Sequence, residues 1–324
     1  MESIYRRMVS LGVDTQLSSP CFLDPSFSSS CSRLFTAPAP RGIQRLLTAE
    51  IENLLDDDFR SRASRADTAR LKSARAPSSG AWIMAIPSEP LLTLSPSAYS
   101  LATRHRLGLH PSDYMPSCCA CGVDPRLSHS HAHACPKIRR RAANVRHGLK
   151  LIEQCIEVCG SEAGCLILTE DHTRRSEWPD QRIFFPPDPA WFSTGLVLSD
   201  VSVACPTAPS HIPNAQVAVG NVADIRARSK SDKYRAMARE LGAMVIPFTL
   251  ETYGALGKSA SDLLRRLVDA YSLLPNAPLS PAAFSVLIRQ RVSVALQKGN
   301  ALVDTQGIRL AVTASCRLGG PSSL

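Results

Sequence analysis

The spacing of apolar residues divides the chain into an aperiodic start and a periodic body. Residues 16–41 (QLSSPCFLDPSFSSSCSRLFTAPAPR) are rich in Ser and Pro and carry no helical or strand period. Residues 1–41 therefore read as a disordered or linker-like arm. From Gly42 to about Leu71 the pattern turns helical: Ile43, Leu46, Leu47, Ile51, Leu54 and Leu55 recur at three- and four-residue spacing. A Pro-Ser-Ser-Gly break at 77–80 precedes the apolar string GAWIMAIPSEP, and Pro96 to Leu107 is again helix-like.

Beyond a Cys- and His-rich block, the period switches between helix and strand. Lys137 to about Val158 predicts a basic helix, and GCLILTED (164–171) a short strand ending on acids. RIFF (182–185) and GLVLSDVSV (195–203) predict two strands joined by a loop containing PPDPAWFST. A helix from about Val222 to Leu241 leads into AMVIPFTLE, a fourth strand over 243–251, and helices over 258–273 and 281–303 follow. This order predicts the α/β class. The domain organisation expected is a helical region over 42–117, the Cys/His block over 118–136, a small α/β domain over 137–275, and a C-terminal helix and tail over 276–324.

Composition narrows the function. No apolar run approaches the roughly 18 residues of a spanning helix, and the opening string MESIYRRMVS lacks a secretory apolar core, so no membrane partner is expected. Lys plus Arg outnumber Asp plus Glu by 37 to 28, a net charge of +9 that favours a polyanion such as nucleic acid. Much of the surplus is local: residues 137–150 hold six basic side chains and no acid, and residues 224–239 hold six against two acids. Of 11 cysteines, seven fall between Cys118 and Cys165. Without a secretory signal, reduced thiols around a metal explain that cluster better than disulfides do.

The block itself is CCACGVDPRLSHSHAHAC, from Cys118 to Cys135. Zinc takes four thiolate or imidazole ligands at tetrahedral corners, in pairs joined by short loops. Cys119 and Cys121 supply one pair, with Gly122 permitting a tight reversal; Cys118 with Cys121 is the alternative. Cys135 and a histidine supply the other, with His131 favoured by spacing over His129 and His133. On the helix after the block, Arg139, Arg146 and Lys150 fall near one face, suited to phosphates.

Two acids stand out among the strands. Asp180 opens the first strand of the predicted hairpin, and Asp200 interrupts the apolar pattern of the second. Paired antiparallel strands can bring two such carboxylates together to hold Mg²⁺, which is suited to phosphodiester cleavage. Arg226, Lys230 and Lys233/Tyr234 share a face of the following helix, where a lysine can neutralise charge developing in a transition state.

In sequence order, these features are a CxC…HxHxC block, Arg146-His147, Pro179-Asp180, Asp200-Val201-Ser202-Val203 and Lys230-x2-Lys233-Tyr234. The order resembles the C-terminal region of non-LTR retrotransposon reverse transcriptase polyproteins of the restriction-like endonuclease class. The strings AWIMAIPSEP, PFTLETYGALG and ALQKGNAL resemble the flanks of that region, so the likeness spans roughly residues 65–305. It implies a PD-(D/E)xK-like nuclease domain behind a CCHC zinc knuckle, with structural Zn²⁺ and catalytic Mg²⁺. It further implies Asp180 and Asp200 as magnesium ligands and Lys230 or Lys233 as the catalytic cation. Arg139, Arg140, Arg146, His147, Lys150 and Arg226 would contact DNA; the element's RNA is a second partner, and the nucleus the expected location. Three departures accompany the likeness. The stretch between Asp180 and Asp200 is longer than the family's usual spacing, with Asp188 a rival first acid; Ser202 stands where a lysine is usual; and no YxDD-type polymerase string is present. The chain thus reads as such a nuclease region detached from its polymerase, or as a catalytically inactive remnant that still binds nucleic acid.

Overall fold

A computed structural model describes residues 57–59, 61–140, 143–170, 178–186 and 195–317; the side chains of 139, 140 and 143–145 are not described. The predicted arm at 16–41, most of the helix predicted over 42–71, and the rival Asp188 lie outside the described residues. The chain divides into two units, Met1–Ser64 and Arg65–Leu324, of which the second carries the sheets and the candidate sites.

The fold of this second unit is mixed α/β, mostly helical with small sheets. The helices are α1 (Arg65–Ala74), α2 (Pro96–Leu107), α3 (His131–Ala134), α4 (Pro136–Arg140), α5 (Ala143–Glu162), α6 (Ile212–Ala215), α7 (Asn221–Leu241), α8 (Lys258–Ser272) and α9 (Pro281–Arg317). The strands are β1 (Leu166–Thr169), β2 (Gln181–Phe184), β3 (Leu196–Ser199), β4 (Val201–Ala204), β5 (Met244–Val245) and β6 (Phe248–Glu251). One sheet runs β1-β2-β3-β5, antiparallel except for the parallel β3/β5 pair; β4 and β6 form a second, parallel pair.

Two predicted strands are each split. The strand expected over 195–203 breaks at Asp200, and that over 243–251 breaks at Ile246-Pro247. Pro247 has no N–H to donate, so the regular ladder cannot pass it. The chains nevertheless stay in register across the gap: Ile246 N–H donates to Leu198 O at 2.9 Å and Phe248 N–H to Asp200 O at 3.1 Å. The result is a kink centred on Asp200. The last helix runs on to Arg317, well past the residue 303 predicted for its end.

The core forms where α5, α8 and α9 cover the sheets. On α5, Ile152, Cys155, Ile156 and Cys159 are buried at helical spacing, and Leu263, Leu264 and Leu267 do the same on α8. Cys155, Cys159 and Cys165 are packing residues of this core, as their apolar neighbours in the sequence suggest. Helices α5 and α9 approach closely at two glycines: a Cβ at Gly148 would stand 3.0 Å from the Gly299 Cα. Arg291 of α9, 4% exposed, is held by Glu89 at 2.5 Å from its Nε and by the Glu162 carboxylate, so its burial is compensated.

Candidate functional site

The register of β2 and β3 builds the acidic site. Gln181 faces Ser199, so the next position outward sets Asp180 opposite Asp200, where cross-strand side chains meet. The two carboxyl groups are close enough for each to act on the other's ionisation. Val201 N–H donates to Asp180 Oδ2 at 2.7 Å, which anchors the first acid at the kink beside the second. Asp200 is 3% exposed. Lys230 Nζ donates to both its oxygens at 2.7 Å, and Tyr234 Oη donates to Oδ2 at 2.6 Å. Lys233 reaches the Tyr234 hydroxyl at 2.7 Å rather than a carboxylate, so Lys230 is the direct partner and Lys233 supports the tyrosine.

A third acid joins from α5. Glu153, 4% exposed, feels the Asp200 charge, and Gln181 Nε2 donates to its carbonyl at 2.8 Å, tying α5 to the first residue of β2. Sequence reasoning missed it. The available signal is an acid on the apolar stripe of Leu149, Ile152 and Ile156, where burial is costly without a purpose. Tyr234, also unassigned from sequence, is buried at helical spacing from Lys230 and points its hydroxyl at the same carboxylate.

The electrostatics follow from burying neighbouring acids of which only Asp200 is paired with Lys230. Burial, with the Asp200 charge adding, pushes Asp180 up to about 8. Burial also pushes Glu153 up to about 7, Lys150 opposing and Asp200 assisting. Burial acts to raise Asp200 as well, but the hydrogen bonds from Lys230 and Tyr234 outweigh it and hold this carboxyl below its ordinary value. Asp200 is thus the ionised member of the pair, and Asp180 keeps a proton near neutral pH.

Basic side chains border these acids on two helices. Arg146, Lys150 and Glu153 follow one another at four- and three-residue spacing on α5, with Arg146 and Lys150 exposed, and His147 is exposed beside them. Arg226, also exposed, lies one turn before Lys230 on α7. Arg139 and Arg140 belong to α4, but their side chains lie outside the described residues.

The Cys/His block closes into a second site. Cys119, Cys121, His131 and Cys135 bring their ligand atoms within 4.8 Å of one another. Cys119 Sγ lies 3.8 Å from Cys135 Sγ, and Cys121 Sγ 3.5 Å from His131 Nε2. A tetrahedral zinc with bonds of about 2.3 Å to sulfur and about 2.0 Å to nitrogen spaces S–S pairs by about 3.8 Å and S–N pairs by about 3.5 Å. This cluster could therefore hold a structural metal such as zinc. The alternatives separate physically: the Cys118 thiol points to the Cys119 carbonyl, His129 Nε2 lies 2.9 Å from Tyr253 Oη, and His133 faces Asp304. Gly122, at φ +87°, makes the reversal between the ligand pairs in a conformation that favours glycine.

No protein-family model, no curated protein and no solved structure matches this chain. The described residues contain no helix long and apolar enough to cross a membrane.

Proposed function

We propose that the chain is a magnesium-dependent DNA endonuclease of the PD-(D/E)xK type, akin to the target-nicking domain of non-LTR retrotransposons. One observation carries the reading: Asp180 and Asp200 meet at the kink between β3 and β4, with Lys230 on Asp200 and Glu153 near enough to feel the Asp200 charge. Asp180 and Asp200 would hold the cation. Bound there, the cation supplies an activated water and charge neutralisation at the scissile phosphate. Lys230, freed from Asp200 when a cation takes the carboxylate, stands ready to neutralise charge on a phosphate oxygen. Tyr234 keeps Asp200 oriented and Lys233 braces the tyrosine. Arg146, His147, Lys150 and Arg226 would hold the DNA backbone, and the zinc knuckle would position DNA or the element's RNA. A nuclear location follows from that substrate.

A second reading is favoured by the same lysine. Lys230 engages both Asp200 oxygens, an arrangement that leaves the carboxylate neutralised without any cation. In that case the chain binds nucleic acid and does not cut it. Nicking of supercoiled plasmid with added Mg²⁺, by wild type and by Asp200→Ala, separates the two. The nuclease reading requires cutting by the wild type alone; no cutting by either, with DNA binding retained, establishes the second.

A further inference from the structure

A buried His-His-Asp cluster stands apart from both sites. His105 of α2, His133 of α3 and Asp304 of α9 each offer a ligand atom, and these atoms lie within 4.8 Å of one another. The His133 and Asp304 side chains are each 3% exposed, and His105 is equally buried. Among the described residues, His105 Nε2 has no hydrogen-bond partner. His133 Nε2 comes within 3.0 Å of Asp304 Oδ1, yet neither atom makes a hydrogen bond of acceptable geometry. An N–H aimed at the carboxylate would be satisfied at that distance. Leaving one carboxylate oxygen and two imidazole nitrogens buried without a hydrogen bond is costly, and a cation among them would relieve that cost.

We propose that His105, His133 and Asp304 form a second zinc site that ties α2, the knuckle and α9 together. Zinc with nitrogen and oxygen ligands at about 2.0–2.2 Å spaces them by about 3.3 Å, close to the His133–Asp304 separation. The His105 and His133 rings stack at 4.6 Å, and His105 also packs on Tyr253 at 4.3 Å, so taking up the metal tilts the His105 ring out of the stack. Water fills the fourth position, drawn from a cavity of about 150 Å³ that His133 lines with Asn300 and Val303. The ligands come from positions 105, 133 and 304, so the site would join segments far apart in the chain.

The test is metal content of the full-length chain after equilibration with zinc and desalting. Wild type should carry two equivalents. Asp304→Asn and His105→Gln should each carry one, as should Cys135→Ser, while the pair Cys135→Ser with Asp304→Asn carries almost none. Cobalt substitution tells the sites apart: the thiolate-to-cobalt band persists in Asp304→Asn and His105→Gln and is lost or weakened in Cys135→Ser. If Asp304→Asn fails to fold, His105→Gln, which removes a neutral ring, carries the test. One equivalent in wild type, or two that Asp304→Asn and His105→Gln leave unchanged, overturns the proposal. Loss of plasmid nicking does not bear on it.

Discussion

Replacing Asp180 by Asn should make the protein more stable at pH 8 and remove much of its pH dependence. The carboxyl is held at about 8 in the fold, against an ordinary value of 3.8, because it is buried beside the Asp200 charge. Between those values the folded protein binds a proton that the unfolded chain releases, so stability is greatest at low pH and falls as pH rises towards 8. The slope approaches about 1.4 kcal/mol per pH unit for one proton, or about 4 kcal/mol from about pH 5 to about pH 8. Partial exposure of Asp180 and screening by water reduce this to about 2 kcal/mol. Asn keeps the shape and the acceptor for Val201 N–H while removing the titration. The assay is urea unfolding of wild type and Asp180→Asn at several pH values without added Mg²⁺. Chelators are avoided because they would strip the knuckle. The variant should gain on wild type as pH rises, and added Mg²⁺ should stabilise wild type at pH 8 without helping the variant. Parallel pH profiles for the two proteins would refute the reasoning, since they would show that Asp180 ionises as it does in water.

Other consequences are independent of that titration. Lys230→Met removes the direct partner of a carboxylate that is 4% exposed and should cost about 3 kcal/mol, read by the same unfolding assay in magnesium-free buffer. Added Mg²⁺ should recover part of that loss if the acids bind it. Gly148→Val forces side-chain atoms into Gly299 on the facing helix, and a loss of about 2 kcal/mol or more is expected by thermal or urea melting. Cys135→Ser should remove one zinc equivalent and the stability the knuckle lends to the α9 residues packed on it, measured by metal analysis and calorimetry. Arg146→Ala should weaken DNA binding across sequences and lower the salt-dependence slope by about 1, measured by fluorescence anisotropy at several salt concentrations.

Local pattern was enough for the types and approximate positions of the longer elements between residues 96 and 303, while the short helices His131–Ala134 and Ile212–Ala215 gave no readable period. Periodicity reports a repeating choice between buried and exposed positions, and α5, α7 and α8 repeat it over several turns. Periodicity alone ran each strand through its break at Asp200 or Pro247, although the proline is itself a break signal; that the two breaks lie side by side was decided by strands remote in sequence. The Cys/His block was legible for a related reason: ligands within 17 residues are close whatever the fold, so spacing alone favoured His131. Its competing histidines were assigned only by distant partners, Tyr253 for His129 and Asp304 for His133.

The acidic site shows the same division. Asp180, Asp200 and the lysine helix could be singled out because each breaks or decorates a pattern in its own segment. Glu153 shows in the sequence only as an acid on an apolar stripe, its place beside β2 being set by α5 crossing there, and the choice of Lys230 over Lys233 is not visible at all. By itself, the sequence determined which segments are helical or extended, where basic charge accumulates, and which thiols and imidazoles lie near one another along the chain. Tertiary structure decided which acids share a site, which lysine faces them, and which buried histidines meet Asp304. Helix and strand periods arise from neighbours three, four or two residues away, whereas a functional site is made where segments remote in sequence pack together.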